Sequence, residues 1–415
     1  MPQNAADSPP TPDQGDKGPD WRIQGRRKSQ DELRRRTIEH MRNKTTDLAE
    51  GPIRIDPAIY TDPVRFELEK RELFRNRPIL AGLTLDIPEP GDSMLVDVLG
   101  PPILIVRTKE AAVKAYLNMC THRAARLVTD CKRRMRMTCL FHGWTFDLNG
   151  KLIGLPGKEG FEGLEKSDLG LIPVPVAEWH GLIFVRATPR GEPIDVADWL
   201  GSMGDELAYL ELEKAAPVMS SQLSTETNWK YAYDTYGESY HFATLHQTTI
   251  GALAYSNMMT FQPQGRHTRL GFPRAEFDPY FRKPEEEWPS TDYGGLYMLF
   301  PNVSINVNSL PNGGQFYGIS RVFPGDRHNH TLTLMTTYRP IHSHPELPNT
   351  KWEEMHKFIE KVVSTEDYSV SAAGQANLEW APADFRMNFG ANEVVLQHHH
   401  RHIEEILSNA WQGER

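Results

Sequence analysis

Two cysteines and two histidines form the first set of residues in this sequence that could do chemistry. One residue separates Cys120 from His122, and after sixteen further residues Cys139 is separated from His142 by two. Two thiolates and two imidazoles can hold a tetrahedral zinc ion, or a [2Fe–2S] cluster with the thiolates on one iron and the imidazoles on the other. Structural zinc sites usually pair like ligands, whereas each half here supplies one thiolate and one imidazole. The spacing therefore favours the cluster.

A second set of metal-binding residue types lies in 228–246, which reads NWKYAYDTYGESYHFATLH. His241 and His246 are five residues apart, a rotation of about 500° on an ideal helix, so a regular helix cannot present both to one metal. The segment is predicted to bend, to end or to contain a π-type bulge between them. Glu238 and Asp234 precede His241 near the same helical face. The alternative interpretation of Glu238 is an ordinary exposed helix glutamate.

The strand and helix patterns around these residues predict an α+β protein. Short apolar runs broken by Gly and Pro begin near Asp92 and end near VPVAEWHGLIFVRAT, which predicts a small antiparallel β domain around the first set. After the break at residues 215–217, strands such as GLYMLFPNVSINVN and a long helix from about Lys351 to Gln375 predict helices over an antiparallel sheet. The predicted divisions are a disordered leader and basic helical arm (1–50), the β domain with flanking segments (51–200) and the helix-over-sheet domain (201–415).

Composition excludes several classes of protein. The chain has 415 residues, 39% hydrophobic and 24% charged, which does not fit a collagen, a coiled-coil rod or a mostly disordered polymer. A net charge of −9 predicts no general attraction to nucleic acid or to an anionic membrane. The sequence has no apolar run long enough for a membrane span and no signal-peptide pattern, so a cytoplasmic location is expected. Three clustered cysteines favour a reducing compartment, and Cys131 matches no ligand position.

Two further segments leave alternatives open. The arginine-rich stretch 26–44 is either an arm that binds nucleic acid or a partner, or a solvated or oligomer-embracing helix, and the acidic chain favours the second interpretation. The run QHHHRH at 397–402 is predicted to begin a surface helix with solvated histidines rather than to form another metal site.

Both sets resemble the motifs of the Rieske non-haem iron oxygenases, in the α (catalytic) subunit of the aromatic-ring-hydroxylating dioxygenase family. The C-x-H and C-x2-H loops match at all four positions, with Thr121 and Ala124 where proline and glycine are commoner. The segment 228–246 is similar to the family's mononuclear-iron segment. Glu366-Asp367 followed by Gln375 fits the pattern that supplies the family's last carboxylate ligand.

The resemblance implies a role for each site residue. Cys120 and Cys139 would bind the inner iron of the cluster, and His122 and His142 the outer iron. A mononuclear Fe(II) would be held by His241, His246 and Asp367, which leaves positions opposite them for dioxygen and substrate. Glu238 would link an iron histidine to a cluster histidine of a neighbouring subunit, and Asp234 is a second candidate catalytic acid.

The resemblance also implies fold, activity and partners. The domain at 51–200 would be the Rieske domain, and 201–415 a helix-grip, START-like catalytic domain. The activity would be hydroxylation (cis-dihydroxylation, monohydroxylation or oxidative dealkylation) of a small organic, preferentially aromatic, substrate bound by region 250–340. Electrons would come from NADH or NADPH through a separate reductase, with or without a ferredoxin, because the chain has no G-x-G-x-x-G fingerprint. A homotrimer or α3β3 assembly is expected. The alternatives are an electron-transfer Rieske protein without oxygenase activity and a zinc-stabilised ligand-binding protein.

Overall fold

A computed structural model describes residues 20–280, 282–288, 294–310, 314–341 and 346–413. Its contacts divide the chain into two compact units, and the predicted leader lies outside the described residues. The first unit is built on Phe74–Trp199, and the second combines Pro19–Leu73 with Leu200–Arg415. Among the described residues, no helix has both the length and the hydropathy that crossing a membrane requires.

The helices are α1 (Trp21–Asn43), α2 (Ala58–Thr61), α3 (Pro63–Glu69), α4 (Val196–Leu200), α5 (Met203–Ala208), α6 (Trp229–Asp234), α7 (Phe242–Leu245), α8 (Thr350–Val362), α9 (Tyr368–Leu378) and α10 (Val394–Gly413). Two π-helical turns span Lys70–Arg75 and Val363–Asp367. The strands are β1 (Ile53–Ile55), β2 (Ile79–Leu83), β3 (Ser93–Val96), β4 (Ile103–Arg107), β5 (Val113–Leu117), β6 (Met137–Thr138), β7 (Thr145–Phe146), β8 (Leu152–Gly154), β9 (Pro173–Val174), β10 (Val176–Trp179), β11 (Leu182–Val185), β12 (Ala216–Thr225), β13 (Thr260–Gln264), β14 (His267–Gly271), β15 (Gly295–Leu299), β16 (Val303–Ser309), β17 (Gln315–Pro324), β18 (Thr331–Arg339) and β19 (Met387–Phe389).

The first unit consists of small antiparallel sheets, in the orders β3-β4-β5-β9, β10-β11-β2 and β6-β7-β8. β2 and β4 are buried at every position, which explains why both read as continuous apolar runs rather than alternating ones. The two cysteines of the first set belong to the buried core, together with Trp144 and Phe146. The prediction of a small antiparallel β domain is confirmed.

The second unit is built on a seven-stranded antiparallel sheet in the order β12-β18-β17-β16-β15-β14-β13. α8 packs on β12 and β18, and α9 contacts β12. The contact between α8 and the sheet is partly polar: His356 is buried between Ser221 Oγ and Thr337 Oγ1, each 2.9 Å from one of its ring nitrogens. Helices over an antiparallel sheet were predicted, and this prediction is also confirmed.

The boundary between the units differs from the predicted division at residue 51. β1 pairs with β19, so Ile53 lies opposite Phe389 and belongs to the second unit. Glu69 of α3 likewise forms a buried ion pair with Lys230 of α6. Each of these partners is more than 150 residues away in the chain. The local patterns that mark strands and helices carry no information about such pairings, which is why the boundary was misplaced.

The basic arm is helix α1, which packs by one face on the second unit. α1 contacts α5, β13 and β14, and Leu33 and Ile38 on its inner face are fully buried. Its arginines pair with acids of the same unit, Arg35 with Glu285 at 2.6 Å among them. The helix of the second interpretation is confirmed, with most of its charged side chains at the surface, and its apolar stripe completes the core. Binding of a partner by its charged face stays a prediction.

We expect Leu33→Ala to destabilise the second unit by about 2–5 kcal/mol, because the substitution leaves a cavity beneath α1. Urea unfolding followed by circular dichroism measures the change. Glu39→Ala, at an exposed position of the same helix, is the control and should stay within about 0.5 kcal/mol of the parent. Equal stability of Leu33→Ala and the parent would show that α1 is not packed in solution.

Candidate metal centres

The two loops of the first set have the same pattern of backbone hydrogen bonds. Cys120 N–H donates to Ala125 O at 2.8 Å, and Ala124 N–H donates back to Cys120 O at 2.9 Å. In the second loop Cys139 N–H donates to Trp144 O at 2.8 Å, and Gly143 N–H to Cys139 O at 3.0 Å. Each cysteine is thus fixed by the same pair of hydrogen bonds, to the fourth and fifth residues after it.

The fourth residue after each cysteine adopts the left-handed conformation. Gly143 has φ +72° and Ala124 has φ +57°. Glycine takes this conformation without penalty, whereas a side chain costs about 1–2 kcal/mol there. Ala124, at a position where the resembling family commonly has glycine, therefore keeps the loop geometry at some cost in stability.

The four side chains are arranged with sulfur inside and nitrogen outside. Cys120 and Cys139 are buried, His142 is exposed and His122 is half-buried. The two imidazoles lie together with ring centroids 4.6 Å apart. This polarity fits a cluster whose inner iron takes the thiolates and whose outer iron takes the imidazoles. A single tetrahedral ion would not require the two pairs to separate by depth.

The environment prepares these groups differently for ligation. Burial raises the pKa of the Cys120 thiol, so a metal must displace its proton. Burial, His142 and Arg123 lower the pKa of His122, which favours the neutral imidazole that a metal requires. Trp144 fixes the orientation of His122 by stacking on its ring at 4.9 Å with an interplanar angle of 9°.

The second set converges on three donor atoms. α6 ends at Asp234, and the single turn of α7 has His241 immediately before it and His246 immediately after it. α7 ends at Leu245, between the two histidines, which is one of the predicted solutions. His241 Nε2 and His246 Nε2 are 3.1 Å apart, and Asp367 Oδ1 lies 3.4 Å and 3.3 Å from them.

These separations fit a bound metal ion. Ligand atoms about 2.1 Å from one ion are about 3.0 Å apart at right angles and about 3.4 Å apart at tetrahedral angles. Two nitrogens and one carboxylate oxygen on one side are the donor set of non-haem Fe(II) oxygenases. In the part of the chain that the structure describes, the group of potential metal ligands at this point comprises these three residues alone. The arrangement therefore leaves coordination positions for other molecules.

Two glutamates orient the imidazoles. His241 Nδ1–H donates to Glu238 Oε1, and His246 Nδ1–H donates to Glu366 Oε2 at 2.5 Å. Thr249 Oγ1 also donates to Glu366, at 2.8 Å. A carboxylate on the far nitrogen fixes the tautomer, so that Nε2 points its lone pair at the metal position. The sequence named Glu366 only as part of the Glu-Asp pair, and its contact with His246 was missed.

The nearby carboxylates favour protonated imidazoles in the metal-free site. Burial alone would lower the pKa of His241, but Asp367 and Glu238 raise it to about 9. Burial alone would raise the pKa of Asp367, but the two histidines lower it overall. The metal-free site therefore holds protons between imidazole and carboxylate. A divalent cation can take the place of these protons.

Asp234 lies in a different cluster. Its carboxylate accepts hydrogen bonds from Tyr60 Oη at 2.6 Å and from His400 Nε2 at 3.0 Å. His399 lies close enough to join them in a second group of potential metal ligands. Among the described residues no contact joins Asp234 to the three donor atoms around Asp367, so its predicted catalytic role stays a prediction.

The histidine run is partly buried, contrary to the prediction of a solvated surface helix. His399 and His400 are only 6% and 4% exposed. Each is paired: His399 Nε2–H donates to Pro301 O at 2.8 Å, and His400 pairs with Asp234. Hydrogen bonds offset the cost of burying an imidazole, and sequence spacing alone cannot reveal them.

The remaining motif residues hold the elements of the site together. Asn228 caps α6 through its side chain, and its backbone N–H donates to Gln375 Oε1 of α9 at 3.1 Å. Trp229 Nε1–H donates to Glu69 Oε2 at 2.9 Å, and Lys230 pairs with the same carboxylate. The Asn-Trp-Lys segment and Gln375 thus tie the helix that precedes the histidines to the helix that follows Asp367.

Comparisons with known proteins assign both units to one family. A model of the "Rieske [2Fe-2S] domain" matches residues 78–173, and a model of the "Ring hydroxylating alpha subunit (catalytic domain)" matches residues 212–409. This chain belongs to the Rieske oxygenase α subunits. Its cofactors are therefore a Rieske [2Fe–2S] cluster and a mononuclear iron, which decides against the zinc alternative.

Individual relatives cover different shares of this Rieske oxygenase subunit. The glycine betaine monooxygenase oxygenase subunit of Chromohalobacter salexigens is 31% identical over 51% of this chain and 48% of its own length. The biphenyl 2,3-dioxygenase subunit alpha of Rhodococcus jostii is 32% identical over 46% and 43%. The matched part thus spans about half the length of these relatives. The structure of the quaternary ammonium Rieske monooxygenase CntA with L-carnitine has the same fold, with a TM-score of 0.72 at 21% identity, covering 87% of this chain and 96% of that one.

We expect Asp367→Ala to remove one iron per chain and to abolish turnover, because one of three donor atoms is lost. The visible spectrum of the cluster should stay unchanged. Iron analysis together with absorption spectroscopy measures both effects. Asp326→Ala, at an exposed carboxylate of the same unit, is the control. Unchanged iron content in Asp367→Ala would rule out Asp367 as a ligand.

Proposed function

We propose that this chain is the terminal oxygenase component of a Rieske oxygenase system. It would use dioxygen and reductase-supplied electrons to hydroxylate a small organic substrate, by dihydroxylation, monohydroxylation or oxidative dealkylation. The observation that carries this proposal is the triangle of donor atoms from His241, His246 and Asp367, with sides of 3.1–3.4 Å. A closed structural site would have a fourth protein ligand. An electron-transfer protein would need no second centre at all.

The chain's own residues prepare and shield this centre. Bound iron would supply the dioxygen chemistry, with electrons from the cluster. Glu238 and Glu366 hold the Nδ1 protons of the two histidines, so both Nε2 atoms stay available as ligands. The Phe242 ring lies 5.1 Å and 5.7 Å from the rings of His241 and His246 and 5.4 Å from Phe272. These phenyl groups make one side of the centre apolar.

Electron supply and assembly form the second part of the proposal. The partners would be a reductase, with or without a ferredoxin, and further copies of this chain in a homotrimer or α3β3 assembly. Each centre has large exposed apolar side chains beside a metal-binding residue: Leu140 (93%) and Phe141 (55%) next to His142, and Tyr240 (61%) next to His241. Such side chains are typical of surfaces that another protein covers. A cytoplasmic location also stays a prediction.

The relatives suggest two substrate classes for the test. Their names indicate a quaternary ammonium compound, glycine betaine, for one and an aromatic hydrocarbon, biphenyl, for the other. We propose to reduce the holoenzyme without air and to expose it to 18O2 with glycine betaine, L-carnitine, biphenyl or naphthalene. A product that contains 18O is expected from one class. A cluster that reoxidises without labelled product from any aromatic or quaternary ammonium compound would favour the electron-transfer alternative.

We expect Glu238→Gln to keep both metals but to slow product formation on the order of 10–100-fold. A glutamine side chain is uncharged and has only one acceptor oxygen. It therefore cannot accept the Nδ1–H of His241 with one oxygen and an N–H of a neighbouring subunit's cluster histidine with the other. Single-turnover kinetics measure the rate, and iron analysis shows that the centres are intact. Glu226→Gln, at an exposed carboxylate paired with Arg327, is the control. Unchanged kinetics in Glu238→Gln would refute the bridge.

A further inference from the structure

One face of the seven-stranded sheet lies beneath the helices on either side of Asp367. Thr337 on β18 contacts His356 of α8 at 2.9 Å, which identifies the face that the helices cover. The register pairs Thr337 with Gly318, and Gly318 with Asn306. Directly opposed residues share a face, so Asn306 also points towards the helices.

This face includes half-exposed positions in the interior of the sheet. Asn306, Asn308 and Gly318 are half-exposed, although β16 and β17 have strands on both sides. A side-chain carbon at Gly318 would meet nothing closer than Phe316 at 3.4 Å and Asn306 at 3.8 Å, so the space above it is not filled. Half-exposed positions on the helix-bearing face of central strands indicate an unfilled space, here called the cavity, rather than a packed core.

The polar side chains that line this cavity form a series of hydrogen bonds that reaches the guanidinium of Arg274. Asn308 Nδ2–H donates to Asn306 Oδ1, and Arg274 Nη1–H donates to Asn308 Oδ1 at 3.2 Å. On its other edge Arg274 Nε lies 3.2 Å from Glu276 Oε1. These contacts hold the guanidinium in one orientation, beside the two side-chain amides.

A row of aromatic rings connects this cation to the metal position. Phe242 contacts His241 and His246, and Phe272 contacts Phe242. Arg274 is two residues beyond Phe272, so alternation puts both on the same side of the extended chain that follows β14. Phe272 thus links the ring that contacts the iron ligands to the segment that carries Arg274.

We propose that Arg274, with Asn306 and Asn308, anchors a carboxylate group of the substrate. The proposal rests on the proposed oxygenase function and narrows its substrate class to small carboxylates that react at the end remote from the acid group. A planar guanidinium next to amide donors suits a carboxylate, which accepts several hydrogen bonds at once. An anion held there leaves the rest of the molecule to lie along Phe272 and Phe242 towards the iron.

Matched pairs of compounds test the anchor separately from turnover. Binding to the oxidised holoenzyme is measured by calorimetry without air for L-carnitine and its carboxamide, and for 4-methoxybenzoate and 4-methoxybenzamide. One charge-assisted anchor corresponds to roughly 10–100-fold in affinity. We expect a carboxylate to bind tighter than its amide by this factor in at least one pair. We expect Arg274→Gln to remove the preference while leaving the Kd of the amide unchanged.

Further variants separate recognition from structure. Arg274→Lys keeps the charge and should restore part of the preference, and Arg327→Gln, at a surface ion pair, should leave it intact. Equal Kd values within both pairs, a preference that survives Arg274→Gln, or no binding of either carboxylate overturns the anchor. In that case Arg274 serves only as the partner of Glu276. If the anchor holds but no 18O enters any product, the oxygenase proposal fails and the anchor stands.

Discussion

The catalytic unit depends on one constraint: a carboxylate must be held within hydrogen-bonding distance of two imidazoles that lie about 120 residues earlier in the chain. Asp367 Oδ1 is 3.4 Å from His241 Nε2 and 3.3 Å from His246 Nε2. Three partly or fully buried polar groups at this spacing are stable only if each has partners. Glu238 and Glu366 supply these partners on the far side of each ring, and the bond from Asn228 to Gln375 fixes the two helical segments against each other.

Each cluster loop is fixed by hydrogen bonds within the loop itself rather than by distant parts of the chain. Each loop needs only a cysteine and the five residues after it to fix one thiol, through the same two backbone hydrogen bonds. Local closure of this kind requires few distant contacts. It also sets the polarity of the site, because the chain buries sulfur and leaves the imidazoles near the surface. With a cluster bound, the exposed side of this site would be the one that His122 and His142 present.

Features that depend on the spacing of nearby residues were predicted from the sequence, whereas contacts between residues far apart in the chain were missed. The C-x-H and C-x2-H spacing predicted that Cys120, His122, Cys139 and His142 lie together, and the two loops do meet. The incompatible five-residue spacing of His241 and His246 predicted that the helix is interrupted. Two kinds of feature were missed. The place of β1 beside β19 and the packing of α1 depend on strands hundreds of residues away. The burial of His399 and His400 depends on acceptors such as Asp234, which no periodicity reveals.

The π-helical turn Val363–Asp367 makes segment length a constraint in its own right. A π turn contains one residue more than the α-helical ladder around it needs. Removing one residue there would let α8 run into α9 as a regular helix, in which the later side chains keep their orientation. Adding one residue would instead rotate the later side chains by about 100° and shift them by about 1.5 Å, which would part Asp367 from the two histidines and Gln375 from Asn228. Natural variation in this stretch should therefore add no residue, and it should exchange amino acids more freely at the exposed Thr365 than at the buried Val363.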